Sequence, residues 1–224
     1  MGDSNKYFYK FPKSTEFSRV LPKNKIYEHA APSSKIKDLF VQQLEKIIWS
    51  YKLSPETINL SAKDGVQEIQ IFTLVLKTAD ISEDVLATID KAIPFPLIFC
   101  LKFEDKVCYI GAYKRISDAD KTKNVISQYF KTDWIILDDS TLLELPITLD
   151  LAVLYQQLLT RIIPLEIRQN ESLEHLVERL GELNLKQREA SKVQIRLNKE
   201  KQFNRKVELN KTLKVLAQAV ELLK

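Results

Sequence analysis

The spacing of apolar positions changes along this chain, and the changes mark its elements. In the last quarter, Leu173, Leu176, Leu180 and Leu183 recur at alternating three- and four-residue steps, the seam of a helix that packs lengthwise on another helix. From Glu171 to Lys224 there is no Pro and one Gly, Gly181. The pattern predicts a helical, coiled-coil arm over 166–224, whose stretch from Glu171 to Lys224 is roughly 80 Å long if it is one straight helix. Ala190, Val193 and Leu197 continue the side of Leu183. Leu209, Leu213, Leu216, Val220 and Leu223 form a second 3-4 series, rotated from the first by roughly 100° or more on an ideal helix. Lys199 to Lys206 is the polar junction, where the helix breaks or each half turns to a different surface.

Upstream the periods alternate between helix and strand. Ser34 caps a predicted helix to about Lys52, with Ile36, Leu39, Phe40, Gln43, Leu44, Ile47, Ile48 and Tyr51 as its core-facing stripe. Ser54-Pro55 opens a turn or helical stub. Val66 to Lys77 reads as a strand. Ser82 to Ile93 reads as a helix, with Ser82 as N-cap and Glu83 and Asp84 in its first turn. Leu97 to Phe103 and Val107 to Tyr113 predict an antiparallel hairpin turning at Glu104-Asp105-Lys106. Asp120 to Phe130 reads as a short helix or an irregular excursion, Trp134 to Leu137 as a strand, and Leu149 to Ile163 as a helix closed by Pro164. Pro12, Pro22 and Pro32 make residues 1–33 an extended arm, basic and aromatic, docked on the body or adding to a nucleic-acid surface. The expected architecture is α/β: a small mixed sheet with packed helices over 34–165, then the helical arm.

Composition bounds this picture without naming a partner. Apolar residues make up 45% and charged residues 29% of the 224, a globular composition. Cys100 and Cys108 sit in strand-like runs and read as two reduced core thiols. Trp49 and Trp134 fall on core-facing positions and read as packing. No stretch of about 18 apolar residues is present, nor a secretory leader; a cytoplasmic protein off the membrane is expected.

Charge is unevenly placed. The net is +4, yet Lys186 to Lys214 holds ten Lys or Arg against three Glu, and Glu166 to Glu182 five Glu against two Arg. On a continuous helix Arg188, Lys192, Arg196, Lys199 and Lys206 fall within an arc of about 80°, opposite the leucine seam, with Phe203 among them. Such a ridge serves as a solvated face, as a surface for antiparallel self-pairing with Glu174 and Glu178, or as a phosphate-binding face. The apolar series, Leu173, Leu176, Leu180, Leu183, Leu197, Leu209, Leu213, Leu216, Val220 and Leu223, is the expected oligomerisation surface of a homodimer or of an obligate protein partner.

Catalytic patterns are scarce. The four Gly are isolated, which removes phosphate-loop and dinucleotide readings. His29 and His175 have no ligand-spaced companions, so neither metal nor cofactor is expected. The one enzymatic pattern is that of a metal-dependent nuclease: Glu45 on the first helix, Asp64 and Glu68 before the strand, and Lys77 at its end. Val75 stands where a metal-binding acid would precede Lys77 by two positions.

Several segments carry a family resemblance: Pro12 to Thr15, Leu21 to Lys25, Val41 to Glu56, Glu68 to Phe72, Ile89 to Pro94, and Lys201 to Asn210. On these the chain resembles DUF4391, a bacterial and archaeal family without an assigned activity. The resemblance implies a place in restriction or defence loci, beside helicases and type III-like DNA methyltransferases, and hence a helicase or methyltransferase subunit as partner. The expectation is a noncatalytic accessory or assembly subunit of a DNA-processing system, docking or self-associating through its arm, with nucleic-acid contact. The alternative is a decayed nuclease of restriction-endonuclease type.

Overall fold

A computed structural model describes residues 8–117, 119–120, 124–136 and 142–224. The chain divides into two compact units, Met1–Pro164 and Leu165–Lys224. At the centre of the first lies β4 (Ile69–Leu76), most of whose residues are buried, as befits a strand covered on both faces. It runs antiparallel to β3 (Leu44–Leu53) and parallel to β5 (Leu97–Phe103). The parallel step needs a crossover, which α4 (Glu83–Ala92) supplies. β5 turns directly into antiparallel β6 (Lys106–Ile116). β6 carries β7 (Asn124–Lys131) along one stretch and β8 (Ile135–Ile136) along another. β2 (Glu16–Val20) closes the far edge against β3. A separate parallel pair joins β1 (Phe8–Lys10) to β9 (Leu142–Glu144).

Strand alternation divides the side chains between two faces. Phe72, Leu74, Phe99, Leu101, Cys108 and Ile110 share a core with Ile26 of α1 (Lys23–Ala30), Phe40 of α2 (Ser34–Gln43) and Val85, Leu86 and Ile89 of α4. On the other face α5 (Leu151–Ile162) lies close over Gly111: a Cβ there would meet Leu159 Cδ2 at 2.8 Å and Ile98 Cδ1 at 3.1 Å. Trp49 and Trp134 pack against the first core. Both cysteines are free thiols, and burial pushes that of Cys100 up to about 12.

Several elements depart from expectation. The helix expected from Ser34 to Lys52 ends at Gln43 and continues as β3. Ile47, Ile48, Trp49 and Tyr51 are β-branched or aromatic and suit a pleated surface better than a helix. The expected helix or excursion after Asp120 is strand β7, in which Val125, Ile126, Tyr129 and Phe130 show the same preference; residues 121–123 lie outside the described chain. Within the expected extended arm, Lys23–Ala30 is helical and Glu16–Val20 pairs with the sheet. Ile135–Ile136 forms the strand expected around Trp134, while Leu137 lies outside the described residues. The capped helix at Ser82 and the β5–β6 hairpin form as expected.

The second unit is a helical hairpin. α6 (Leu173–Lys199) and α7 (Phe203–Leu223) are joined by Glu200–Gln202, so the arm is two antiparallel helices rather than one rod. Ser172 caps α6 by accepting from the His175 N–H at 3.2 Å. The half-buried positions of α7 include Leu209, Leu213, Leu216, Val220 and Leu223, which makes the second leucine series its stripe against α6. Arg179 locks the open end. Its guanidinium donates to both carboxylate oxygens of Glu171 at 2.7 and 2.8 Å, and to main-chain oxygens of Glu166, Leu223 and Lys224. A cation placed on the last carbonyls of α7 also favours that helix end electrostatically.

Candidate functional site

The break at Glu200 rearranges the expected ridge. Arg188, Lys192, Arg196 and Lys199 remain on α6, all exposed. Lys206 and Phe203 belong to the first turns of α7 instead. The turn therefore gathers cations at the hairpin tip, where Arg196, Lys199, Lys201 and Arg205 line an open groove of about 720 Å³ with Glu200, Gln202, Glu208, Leu209 and Thr212. Lys201 and Arg205 escape sequence reasoning, because they join this surface only once the chain turns. Their signal is the rotation between the two leucine series.

The tip is electrostatically one-sided. α7 begins with no acidic residue in its first turn and no side-chain cap from Gln202. Its free N–H groups already present partial positive charge, and Arg205 and Lys206 add two full charges. Glu200 is the nearest counterweight. Its carboxylate accepts from the N–H groups of Gln202 and Lys201 at 2.9 and 2.8 Å, which holds it below the ordinary carboxylate range. Among the described residues, none of Arg188, Lys192, Arg196, Lys199, Lys201, Arg205 or Lys206 forms a salt bridge. Phe203, the first residue of α7, is 78% exposed.

The expected oligomerisation surface divides in two. Leu173, Leu176, Leu180 and Leu183 are buried within the single chain, so this part of the series is not a free surface. Leu197 and the α7 series are half-buried. Outside that stripe, Val215 is 64% and Leu222 77% exposed. Their seven-residue spacing puts them on one face of α7.

The nuclease-pattern residues divide between the two ends of β4. Glu45 lies on β3 rather than on a helix, exposed, with Lys46 at 3.9 Å. Lys77 follows β4 and donates to the Val41 carbonyl at 2.7 Å. Glu68 precedes the opposite end of the same strand, paired with Lys52 at 3.3 Å and accepting from the Gln70 amide. Eight strand residues separate Lys77 from Glu68, about 26 Å of chain. Asp64 sits in the turn before Gly65, with φ of 50°. Among the described residues no group of three or more His, Cys, Asp or Glu is placed to hold a metal ion.

A buried charge cluster in the first unit went unread in the sequence. Lys114 and Asp90, 3% and 4% exposed, pair at 2.7 Å. The ammonium also donates to the carbonyls of Asp90, Ile93 and Phe95, and Tyr129 donates to Asp90 at 2.6 Å. Burial lowers the lysine's affinity for its proton, and Asp90 opposes that shift. With every acceptor matched, the cluster ties the end of α4 to β6, a structural assignment.

A family model described as a domain of unknown function, DUF4391, matches residues 10–220. No curated protein and no solved structure matches the chain. No helix among the described residues is long and apolar enough to cross a membrane.

Proposed function

The chain belongs to the DUF4391 family, and from that premise and the hairpin we propose a noncatalytic accessory subunit of a DNA-processing system, of restriction or defence type. In this reading the α/β unit is a docking body, and the hairpin tip holds nucleic-acid phosphates. The observation that carries it is the start of α7, without a side-chain cap from Gln202 and set among cations that outnumber the neighbouring Glu200 and Glu208. Helix N-termini and arginine clusters both favour phosphate. The exposed strip of Val215 and Leu222 supports a second copy of the chain, or a helicase or methyltransferase subunit, as the protein partner.

The test is direct. Fluorescence anisotropy at low salt should show binding of labelled oligonucleotides by the full chain, weakened when Arg196→Gln and Lys199→Gln are combined. Both side chains are exposed, so the fold should survive, which circular dichroism would verify. Absence of wild-type binding to either single strand or duplex would leave the cations as a solvated face and end the phosphate reading.

A further inference from the structure

The first unit holds a recess beside its sheet that takes no part in the tip. Trp49 and Phe72 stand opposite each other in the β3–β4 register, their rings 14° from parallel with centroids 6.0 Å apart. Gln70, two residues before Phe72 on β4, shares its face of the sheet. α1 supplies Ile26 to the lining, and the connection from α4 to β5 supplies Phe95. The space is about 290 Å³, roughly ten water volumes. The exposed Lys25, His29 and Pro94 mark its mouth. The lining holds no carboxylate, and Lys25 is already paired with Glu28 at 2.8 Å, so the recess does not call for a charged ligand. Packed interiors leave few voids larger than one water. Aromatic and aliphatic walls around a few placed polar groups are instead the make-up of small-molecule sites.

The polar group at the floor selects the ligand. Gln70 is 4% exposed. Its Nε2 donates to the Glu68 carboxylate at 2.5 Å, which Lys52 holds from the other side at 3.3 Å. An ionised carboxylate only accepts, so this contact fixes which end of the amide is nitrogen. The Oε1 accepts no hydrogen bond among the described residues, yet it is not sealed from solvent, which leaves an acceptor open to the recess. Trp49 offers only its ring, because its indole N–H already donates to the Tyr51 carbonyl at 3.1 Å. A ligand that fills the space must bring its own donor, or it buries that acceptor unpaired. We propose that this recess binds a small, neutral heteroaromatic molecule, packed against Trp49 and Phe72 and donating an N–H to Gln70 Oε1. Flat rings suit aromatic walls, and Glu68 and Lys52 act as positioning residues behind the amide. The site lies wholly within the first unit and is independent of the phosphate reading at the tip.

Ligand-observed NMR titration of the full chain tests this with three probes. Indole carries a ring N–H, benzofuran keeps the same shape with an oxygen in its place, and adenine brings an amino donor on a nucleobase. Wild type should bind indole more tightly than benzofuran by about 5- to 150-fold, because benzofuran buries the acceptor unpaired. Gln70→Leu should bring the two to equal affinity. Ala92→Leu, which adds bulk to the lining, should weaken both with circular dichroism unchanged, and it keeps the site testable if Gln70→Leu fails to fold. Adenine binding as well as indole extends the site to nucleobases, and indole without adenine restricts it to indole-type rings; both support the proposal. Equal affinity of wild type for indole and benzofuran, or no binding of any probe, overturns it. Oligonucleotide binding at the tip should not respond to Ala92→Leu, so the two readings stand or fall separately.

Discussion

At the scale of residues, two charged pairs hold the two units in shape. Lys114 is wholly committed to Asp90 and the carbonyls after α4. Replacing it with Met leaves Asp90 as an uncompensated buried charge, at a cost of about 3–5 kcal/mol; urea unfolding should show it, and unchanged stability would contradict the assignment. Glu171 is held at about 2 by its bonds to Arg179, against an ordinary 4.5. Because the folded value is the lower, its stabilisation of the hairpin is complete above about 4.5 and disappears as pH falls towards about 2. Hydrogen exchange across that window should show α7 loosening in wild type and a flat response in Glu171→Gln. Neither pair was legible in the sequence, because Asp90 and Lys114, or Glu171 and Arg179, become partners only through a crossover or a helix entry. The cysteines were legible, since burial in a strand run is a local property.

At the scale of elements, what could be read depended on whether one period ruled a segment. Ser82 followed by Glu83 and Asp84 announces its helix, and the apolar runs flanking Glu104-Asp105 announce their hairpin. Leu44 to Leu53 misleads because its apolar positions prolong the helical spacing of α2, although its β-branched and aromatic residues favour a strand. In the arm, the rotation between leucine series was the trace of a turn, and it converts a predicted ridge into a tip. The same pairing changes which apolar residues remain for a partner. Val215 and Leu222 are exposed on the outer side of α7, while the Leu209 to Leu223 stripe is engaged with α6. Light scattering should therefore show concentration-dependent association of wild type, abolished by Val215→Glu with Leu222→Glu at unchanged helicity. A wild type that stays monomeric throughout contradicts self-pairing.

At the scale of the whole molecule, a modest net charge of +4 conceals a division of labour. The first unit pairs Lys114 with Asp90 and Lys52 with Glu68, and the second, which commits Arg179 to Glu171, leaves a group of cations exposed at the hairpin tip. The nuclease pattern illustrates the limit of linear reading, because Glu68 and Lys77, close in sequence, stand at opposite ends of β4. The central claim, that the tip neutralises phosphates, is tested most directly by the salt dependence of oligonucleotide binding. For about five contacts on a single strand, the log affinity of wild type should fall against log salt with a slope of about −3.5, and combining Arg196→Gln with Lys199→Gln should flatten it by about 1.4. A wild-type slope near zero, or a slope that both substitutions leave unchanged, would contradict the claim.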